Sequence, residues 1–262
     1  MTLIYIYIFL LGLALGSFAN VVISRIETEA KTIFCSRSKC PKCGHLLSWY
    51  DLIPLLSFIF LRGKCRYCRK PISWQYPAVE LTTALWLMVL WLISSGRWGD
   101  FVYLTLISLI LIVIFVSDLQ TMTVSLPLVQ IGLLIGLIYY IWPPSVLQLH
   151  SGQAFSLKPS AAIYGLLISL AIPGALVLIT KGKGMGEGDI GVGGLLGLTL
   201  GGVGSLILIG YFWLLTFWLG GLVGSFLLLS RQKTLKSAVP FAPFMIIAWA
   251  ICLVLNFFGI VV

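Results

Sequence analysis

Eight long apolar runs, separated by short polar segments, set the pattern of this sequence. A run of about 17–25 apolar residues is long enough to cross the hydrocarbon core of a bilayer as an α-helix. The pattern therefore predicts an all-α, polytopic membrane protein with about eight transmembrane helices. The predicted spans are roughly 3–24, 78–95, 102–117, 124–142, 160–180, 189–201, 205–229 and 240–262.

The sixth run differs from the others because it is short and rich in glycine. Small residues allow neighbouring helices to approach each other closely. We therefore expect this helix to be buried among other helices rather than to face lipid.

The composition excludes an ordinary soluble domain. Of the 262 residues, 60% are hydrophobic and 10% are charged, and the mean hydropathy is +1.07, so too few polar residues exist to cover a soluble surface. The net charge of +9 is compatible with nucleic-acid binding, but ten of the 17 Lys and Arg residues lie between Arg25 and Lys70. We interpret this cluster as a topology signal and predict no nucleic-acid partner.

The distribution of cations predicts the orientation in the membrane. If residues 25–77 are cytoplasmic, the alternation of spans places three later segments on the same side. These segments are 118–123, 181–188 and 230–239. Fifteen of the 17 cations then lie inside and only Arg97 and Lys158 lie outside, which is the asymmetry that the positive-inside rule describes.

Two C-x-x-C pairs in the first polar segment form the clearest metal-binding motif. The pairs are Cys40 with Cys43 and Cys65 with Cys68. Four thiolates complete a tetrahedral zinc site with no open position, so the predicted role of the metal is structural. A cytoplasmic location argues against disulfides, although metal-free thiols and a disulfide pair remain alternatives.

The other cysteines and the histidines fall outside this motif. We interpret Cys35 as a free thiol and Cys252, inside the last apolar run, as a core residue. His45 is a competing ligand in the loop, but four cysteines already suffice for a zinc ion.

A glycine-rich turn between the fifth and sixth runs carries two carboxylates. It reads Gly184-Met185-Gly186-Glu187-Gly188-Asp189. Gly186 and Gly188 allow the backbone to approach a substrate closely, and we predict that they belong to an active-site loop. An ionisable residue at a membrane boundary is a functional-site hypothesis by default. The alternative is a flexible loop between two spans.

A second acidic residue, Asp118, ends the third apolar run and falls on the same predicted membrane face as Asp189. Two carboxylates brought together cannot both ionise readily and are expected to share a proton. The ionised member can activate water while the protonated member polarises a scissile carbonyl. Glu187 is the other candidate partner, but its spacing from Asp189 favours a solvent-facing side chain. Alone, Asp118 is equally compatible with a solvated carboxylate at a helix end.

The sequence contains none of the common motifs of other classes of hydrolase. It contains no H-E-x-x-H of a zinc protease and no G-x-S-x-G of a serine hydrolase. The two histidines, His45 and His150, lie in unrelated loops. The glycines do not follow a strand or sit in a βαβ unit, as a dinucleotide-binding fingerprint requires.

Taken together, the motifs resemble those of the type IV prepilin peptidases, bifunctional membrane enzymes of the GxGD aspartic protease group. Their order and spacing are more specific than any single motif. The stretches that carry the likeness are 12–22 (GLALGSFANVV), 38–43 (SKCPKC), 53–57 (IPLLS), 62–68 (RGKCRYC), 76–81 (YPAVEL), 186–189 (GEGD) and 239–244 (VPFAPF).

The resemblance implies cleavage of a short basic leader from prepilins or pseudopilins at the cytoplasmic face of the bacterial inner membrane. It also implies N-methylation of the new N-terminal residue with S-adenosylmethionine as donor, an activity that the resemblance links to the cysteine loop and the region of Glu80. The implied catalytic pair is Asp118 and Asp189. The implied zinc ligands are Cys40, Cys43, Cys65 and Cys68.

This interpretation divides the chain into three parts. Residues 1–24 form a first transmembrane helix, which we expect to be retained because no basic segment or clear cleavage site marks it as a signal. Residues 25–77 form a cytoplasmic zinc-binding loop with four cysteine ligands, and residues 78–262 form the membrane peptidase core.

The sequence departs from the family's pattern at three places. The family has I-P-D shortly after its first aspartate, whereas residues 123–127 read Thr-Val-Ser-Leu-Pro. Gly191 stands where the family often has lysine, and Ala242 stands where it usually has glycine.

Two other classes compete with a peptidase. A transporter would usually place its charges near the membrane midplane and show paired repeats, whereas these carboxylates lie at span edges and no repeat is visible. A noncatalytic scaffold with a zinc loop would explain the cysteines, but would leave Asp118 and the glycine-rich turn without a role.

Overall fold

The computed structural model describes residues 2–27, 38–141, 159–181, 185–203, 206–231 and 239–260. Within these ranges the chain is helical and forms no β-strand, apart from two isolated bridges in the cysteine loop. The prediction of an all-α protein is therefore confirmed. The helices are α1 (Thr2–Glu27), a 3-10 helix (Trp49–Leu52), α2 (Leu56–Phe60), α3 (Gln75–Ile93), α4 (Trp98–Thr121), α5 (Leu126–Ile141), α6 (Pro159–Thr180), α7 (Glu187–Val203), α8 (Leu206–Leu229) and α9 (Ala242–Phe257).

Each of the eight predicted apolar runs corresponds to one helix, namely α1 and α3 to α9. Five of these, α1, α3, α4, α6 and α8, are long and apolar enough to cross a membrane by length and composition. Helices α5 and α9 are apolar but shorter, with 16 residues each. Helix α7 has 17 residues and is buried along almost its whole length, as its glycine content predicted.

Two helices extend beyond the apolar runs that predicted them. Helix α4 continues to Thr121, so Asp118 lies in its last turn, and α7 begins at Glu187, so Asp189 lies in its first turn. A helix depends on backbone hydrogen bonds and therefore continues through polar residues where the apolar pattern stops.

The chain divides into two compact units, residues 1–113 and 114–262. The boundary between them falls within α4. This division describes packing, so the predicted functional division at residues 24 and 77 stays a prediction.

In the first unit, α1 packs closely against α3. A Cβ atom on Gly16 would lie 2.7 Å from Cα of Glu80, and Gly12 meets the backbone of Ala84 even more closely. Only glycine permits this approach. The amide of Asn20 donates a hydrogen bond of 3.0 Å to the carbonyl of Tyr76 at the start of α3.

In the second unit, α7 is the central helix. Its glycines allow contact with α6: Gly197 meets the backbone of Gly165, and a Cβ atom on Gly193 would lie 2.8 Å from the carbonyl oxygen of Ser169. On another side, the indole of Trp249 in α9 donates a 2.7 Å hydrogen bond to the hydroxyl of Thr199. These contacts hold the middle of α7, the helix that carries Asp189 in its first turn.

Candidate active site and metal centre

The carboxylate pair predicted from the sequence lies at the ends of two helices of the second unit. Asp118 in the last turn of α4 is 4% exposed and Asp189 in the first turn of α7 is 7% exposed. Asp118 lies within electrostatic range of the Asp189 carboxylate. The structure therefore places two buried acidic residues that are far apart in the chain in the same region of the second unit.

The glycine-rich turn holds the Asp189 side chain in place. The backbone N–H of Gly186 donates to Oδ2 of Asp189 over 3.1 Å, and the N–H of Asp189 donates to the carbonyl of Gly186 over 3.1 Å. A carboxylate is also favoured in the first turn of a helix, where free N–H groups leave partial positive charge. This turn gives the carboxylate a defined orientation.

Gly188 has a different role from Gly186. A Cβ atom on Gly188 would lie 2.7 Å from Cβ of Val124, in the segment between α4 and α5, whereas one on Gly186 would meet Asp189 Oδ2 at an ordinary 3.6 Å. The missing side chain of Gly188 therefore lets the first turn of α7 approach the segment that follows Asp118.

The carboxylate of Asp118 has a backbone donor nearby and one buried oxygen without a partner. The donor is the N–H of Ala242, the first residue of α9. The Oδ2 atom of Asp118 is buried and has no hydrogen-bond partner among the described residues. A buried oxygen of this kind is costly unless a water or a substrate group binds it. We therefore expect a water molecule or a substrate group to bind this oxygen.

The three departures from the family pattern have a local explanation in the structure. Pro127 lies in the first turn of α5, where a proline is tolerated because its missing N–H is not needed. A Cβ atom on Gly191 would lie 2.8 Å from Cγ1 of Val129 in α5, so the glycine permits close helix contact. Ala242 contributes its backbone N–H to the site, which does not depend on its side chain.

The four cysteines of the predicted metal site also come together. Their Sγ atoms all lie within 4.8 Å of one another, and all four are free thiols. A tetrahedral zinc site with Zn–S bonds of about 2.3 Å requires sulfurs about 3.8 Å apart. The donor set and its size therefore fit a metal ion, and a small adjustment of the turns would close it around zinc.

Each C-x-x-C pair occupies a tight turn. The N–H of Gly44 donates to the carbonyl of Cys40 and the N–H of Arg69 donates to that of Cys65, each over less than 3 Å. Gly44 and Arg69 have positive φ angles of 71° and 56°. The two turns have the same form, so each presents two sulfurs to a common point.

The pKa values of two of the thiols are shifted in opposite directions. Burial alone would raise the pKa of Cys40, but N–H groups of Lys42 and Cys43 donate to its sulfur and the net effect lowers its pKa to about 7. The backbone at His45 favours the Cys43 thiolate, but burial and the hydrogen bonds with Cys40 and Cys68 raise the pKa of Cys43 to about 11. A bound cation would favour the thiolate at both positions.

The remaining cysteine and histidine predictions have mixed outcomes. The ring of His45 stacks on Tyr67 with 3.6 Å between ring centroids, and the metal-capable group within the described residues comprises the four cysteines alone. Cys252 is fully buried in α9, as predicted. Cys35 and His150 lie outside the described residues.

Two acidic residues that stabilise the cysteine loop were not singled out for this role from the sequence. Asp51 accepts hydrogen bonds from Arg66 Nε (2.7 Å) and from the hydroxyl of Tyr67 (3.2 Å). Glu80, 7% exposed, accepts a 2.8 Å hydrogen bond from the backbone N–H of Leu55. For Asp51, an acidic residue within so basic a segment was the available signal.

Fold and site define a class: a polytopic helical membrane protein with a buried carboxylate pair and a cysteine loop able to hold a metal ion. Relatives extend over almost the whole chain. Prepilin leader peptidase/N-methyltransferases of Aeromonas hydrophila and Aeromonas salmonicida (strain A449) are each 32% identical over 94% of this chain and 89% of their own length. The chain belongs to the prepilin leader peptidase/N-methyltransferase family, as the sequence motifs predicted.

Two further comparisons refine this assignment. The family described as Bacterial Peptidase A24 N-terminal domain matches residues 10–94. The prepilin leader peptidase/N-methyltransferase of Myxococcus xanthus (strain DK1622) is 54% identical over 80 residues, 30% of this chain and 24% of its own. No solved structure matches. The apolar helices and the bacterial relatives together define a membrane-bound bacterial protein.

Proposed function

We propose that this protein removes the leader peptide from prepilins or pseudopilins and then N-methylates the new N-terminal residue. The proposed location is the inner membrane, with the carboxylate pair at the cytoplasmic face. The observation that carries the peptidase part is the burial of Asp118 and Asp189 within electrostatic range of each other, with Oδ2 of Asp118 unpartnered among the described residues. Family membership supports both activities.

In this proposal, Asp118 and Asp189 share one proton and hold a water molecule. The ionised carboxylate removes a proton from the water as its oxygen attacks the carbonyl carbon of the scissile peptide bond. The protonated carboxyl group gives its proton to the carbonyl oxygen. When the C–N bond breaks, the leaving amine takes a proton from the pair, and a hydroxyl group of the tetrahedral intermediate gives a proton back as it becomes the new carboxyl group. The pair then again holds one proton.

The backbone donors at the site support this mechanism. Gly186 donates to Asp189 and Ala242 donates to Asp118, so each carboxylate is oriented by the main chain rather than by a mobile side chain. Preorganised donors of this kind need no rearrangement as charge moves during the reaction. The buried site also keeps competing water away.

We propose zinc as the ion of the cysteine loop, held by Cys40, Cys43, Cys65 and Cys68. A closed site of four cysteines contributes folding energy and has no position for substrate, so its role in this proposal is structural. The support is the mutual proximity of the four sulfurs.

The methyl transfer is proposed from family membership and from the resemblance of the cysteine loop and the Glu80 region. S-adenosylmethionine is the proposed methyl donor, and no residue is assigned to it. The free amine produced by cleavage is the nucleophile that the methyl transfer requires.

The test compares cleavage of a model prepilin in membranes that contain the wild type, Asp118→Asn or Asp189→Asn. Asparagine preserves the size of the side chain but cannot exchange a proton, so each variant should lose cleavage while remaining inserted and abundant. Asp100→Asn makes the same change at a buried carboxylate that pairs with Arg97, and it should still cleave.

Each outcome has a distinct meaning. Normal cleavage by either site variant would refute the proposed carboxylate pair. No cleavage by the wild type with several prepilins would instead favour the noncatalytic scaffold.

A further inference from the structure

The cysteine loop exposes large apolar side chains although it lies outside the membrane-crossing helices. In α2, Phe60 is 80% exposed and Ile59 is 65% exposed, and Trp74, the residue before α3, is 76% exposed. Single exposed apolar residues are common on protein surfaces, but a group of neighbouring ones indicates a surface that binds a partner or a membrane. These side chains therefore need an explanation that lipid-facing residues of α1 and α3 do not.

Three of the exposed side chains share one face of α2. Leu56, Ile59 and Phe60 have the spacing i, i+3 and i+4, at which side chains lie on the same side of a helix, and all three are exposed. The ring of Phe58 instead packs against Trp74, with 5.0 Å between the ring centroids, so Trp74 lies beside α2. We call Leu56, Ile59, Phe60 and Trp74 the α2 surface.

A hydrogen bond places the α2 surface at the level of the membrane boundary. Helix α3 has 19 residues, which gives a length of about 28 Å, so it only just spans the hydrocarbon core and its first turns lie at the boundary. The N–H of Leu55, the residue before α2, donates over 2.8 Å to Oε2 of Glu80 in the second turn of α3. The start of α2 is therefore held against the end of α3 that enters the membrane.

The charges beside the α2 surface are complementary to anionic lipid. Residues 38–77 contain seven Lys or Arg residues and one acidic residue. Arg62 and Lys64 follow α2 directly and are exposed, and the N–H of Arg62 donates to the carbonyl of Ile59 over 3.0 Å. Basic residues next to exposed apolar side chains are the combination that binds an anionic membrane surface.

We propose that the α2 surface inserts into the headgroup region of the bilayer that α1 and α3 cross, where Arg62 and Lys64 bind the phosphates of anionic lipids. Trp74 then lies at the membrane–water interface, where indole rings are favoured. Because Cys65 follows Lys64 in the chain, this docking holds the cysteine site near the membrane. The inference does not depend on the proposed peptidase activity, because all of these residues belong to the first unit.

The competing occupant of the α2 surface is a protein, such as the apolar helix of a substrate or a second copy of this chain. A protein would also cover the apolar side chains, but it would exclude lipid from them. The hydrogen bond between Leu55 and Glu80 favours lipid, because it places the surface beside a membrane-crossing helix. The two occupants therefore differ in which quencher reaches the surface.

The test places a fluorescent amino acid at position 60 of the full-length protein, in vesicles that contain phosphatidylglycerol. One quencher is a nitroxide on the lipid acyl chain next to the glycerol, and the other is iodide in the water. An interfacial surface is buried about 5–10 Å into the headgroup and acyl boundary, so the nitroxide should remove at least about half of the emission. Iodide should have little effect.

Ile59→Glu should reverse this pattern, because it adds a carboxylate beside the probe on the same face of α2. Leu46→Glu is the matched control, since it makes the same change at another exposed apolar residue of the loop, in the first cysteine turn. It should keep the wild-type pattern. A probe at Leu85, which is exposed on α3, should be quenched by lipid in every variant and reports correct insertion.

The inference is overturned if iodide rather than the nitroxide quenches position 60 in the wild type. Shielding of position 60 from both quenchers also overturns it, because a protein would then cover the α2 surface. The wild-type pattern in Ile59→Glu would show that this face does not make the contact. In vesicles of phosphatidylcholine alone, nitroxide quenching should fall, and equal quenching in both lipids would refute the role given to Arg62 and Lys64.

Discussion

The cysteine cluster and the carboxylate pair are both polar sites in a hydrophobic chain, but they are built in opposite ways. The cysteines come from two short turns of one loop, each closed by its own backbone hydrogen bonds. The carboxylates come from the ends of α4 and α7, and their neighbours come from the segment before α5 and the start of α9. The first site depends on local geometry and the second on helix packing.

This difference predicts which substitutions will disrupt each site. A local site should be lost by changing one of its own ligands and should tolerate changes elsewhere. A site made from helix ends should be sensitive to small residues that have no chemistry of their own. The following substitutions separate these two behaviours.

The largest effect is expected from Gly188→Ala. The new Cβ atom would lie 2.7 Å from Cβ of Val124, so the first turn of α7 must move. Because a misplacement of about 1 Å can reduce a rate by about a hundredfold, cleavage should fall by up to that factor. Gly221→Ala is the matched control, since a Cβ atom there meets nothing within 4 Å. The measurement is the initial rate of cleavage in membranes.

Val124→Gly should partly restore activity to the Gly188→Ala variant because it removes the Cβ atom of Val124 that the new methyl group would approach, together with its two branches. Rescue of this kind measures the coupling between the two positions. If the double variant is no better than Gly188→Ala alone, close contact at Val124 is not the cause of the loss.

An intermediate effect is expected from Cys65→Ser. The purified variant should lose the bound metal, because hydroxyl oxygen is a poor replacement for a thiolate sulfur. Its thermal stability should fall, and cleavage should fall much less than in Gly188→Ala because the metal takes no part in the reaction.

Cys252→Ser, at a buried cysteine of α9, is the control and should keep the metal. Metal content by elemental analysis decides the matter, and a Cys65→Ser variant that retains full metal would contradict the four-cysteine site.

The smallest effect is expected from Ala242→Gly. The N–H of residue 242 is the group that donates to Asp118, and the substitution preserves it. Cleavage should therefore remain within about twofold of wild type, the change expected where no transition-state contact is lost. A tenfold loss would show that the methyl group, rather than the backbone, supports the site.

The sequence predicts the cysteine site more completely than the carboxylate site, because only the cysteine site is encoded within short stretches of the chain. Cysteine pairs at a fixed spacing indicate a metal site, because the ligands and the turns that carry them are encoded within a few residues. Asp118 and Asp189 were recognisable as unusual charges at span edges, and the predicted orientation placed them on one face. Their proximity depends on how α4 and α7 are placed by the rest of the fold, which no local pattern encodes.

The parts of the site that the sequence did not reveal are mainly backbone atoms and apolar contacts. The N–H of Ala242 carries no residue-type signal, and Val124 is an ordinary apolar residue. The end of α4 was also misjudged, because the helix continues beyond its predicted run and includes Asp118. Helix α7 begins only two residues before Asp189, where its run was predicted to begin. In contrast, the spacing argument that Glu187 faces solvent is confirmed.

The most direct test of the central claim measures cleavage rates for Asp118→Asn, Asp189→Asn and the double variant under single-turnover conditions. If the two carboxylates act as one proton-sharing unit, each single change should remove nearly all activity, and the double change should cost little more than either one. Losses that multiply in the double variant, or substantial activity in one single variant, would contradict the account.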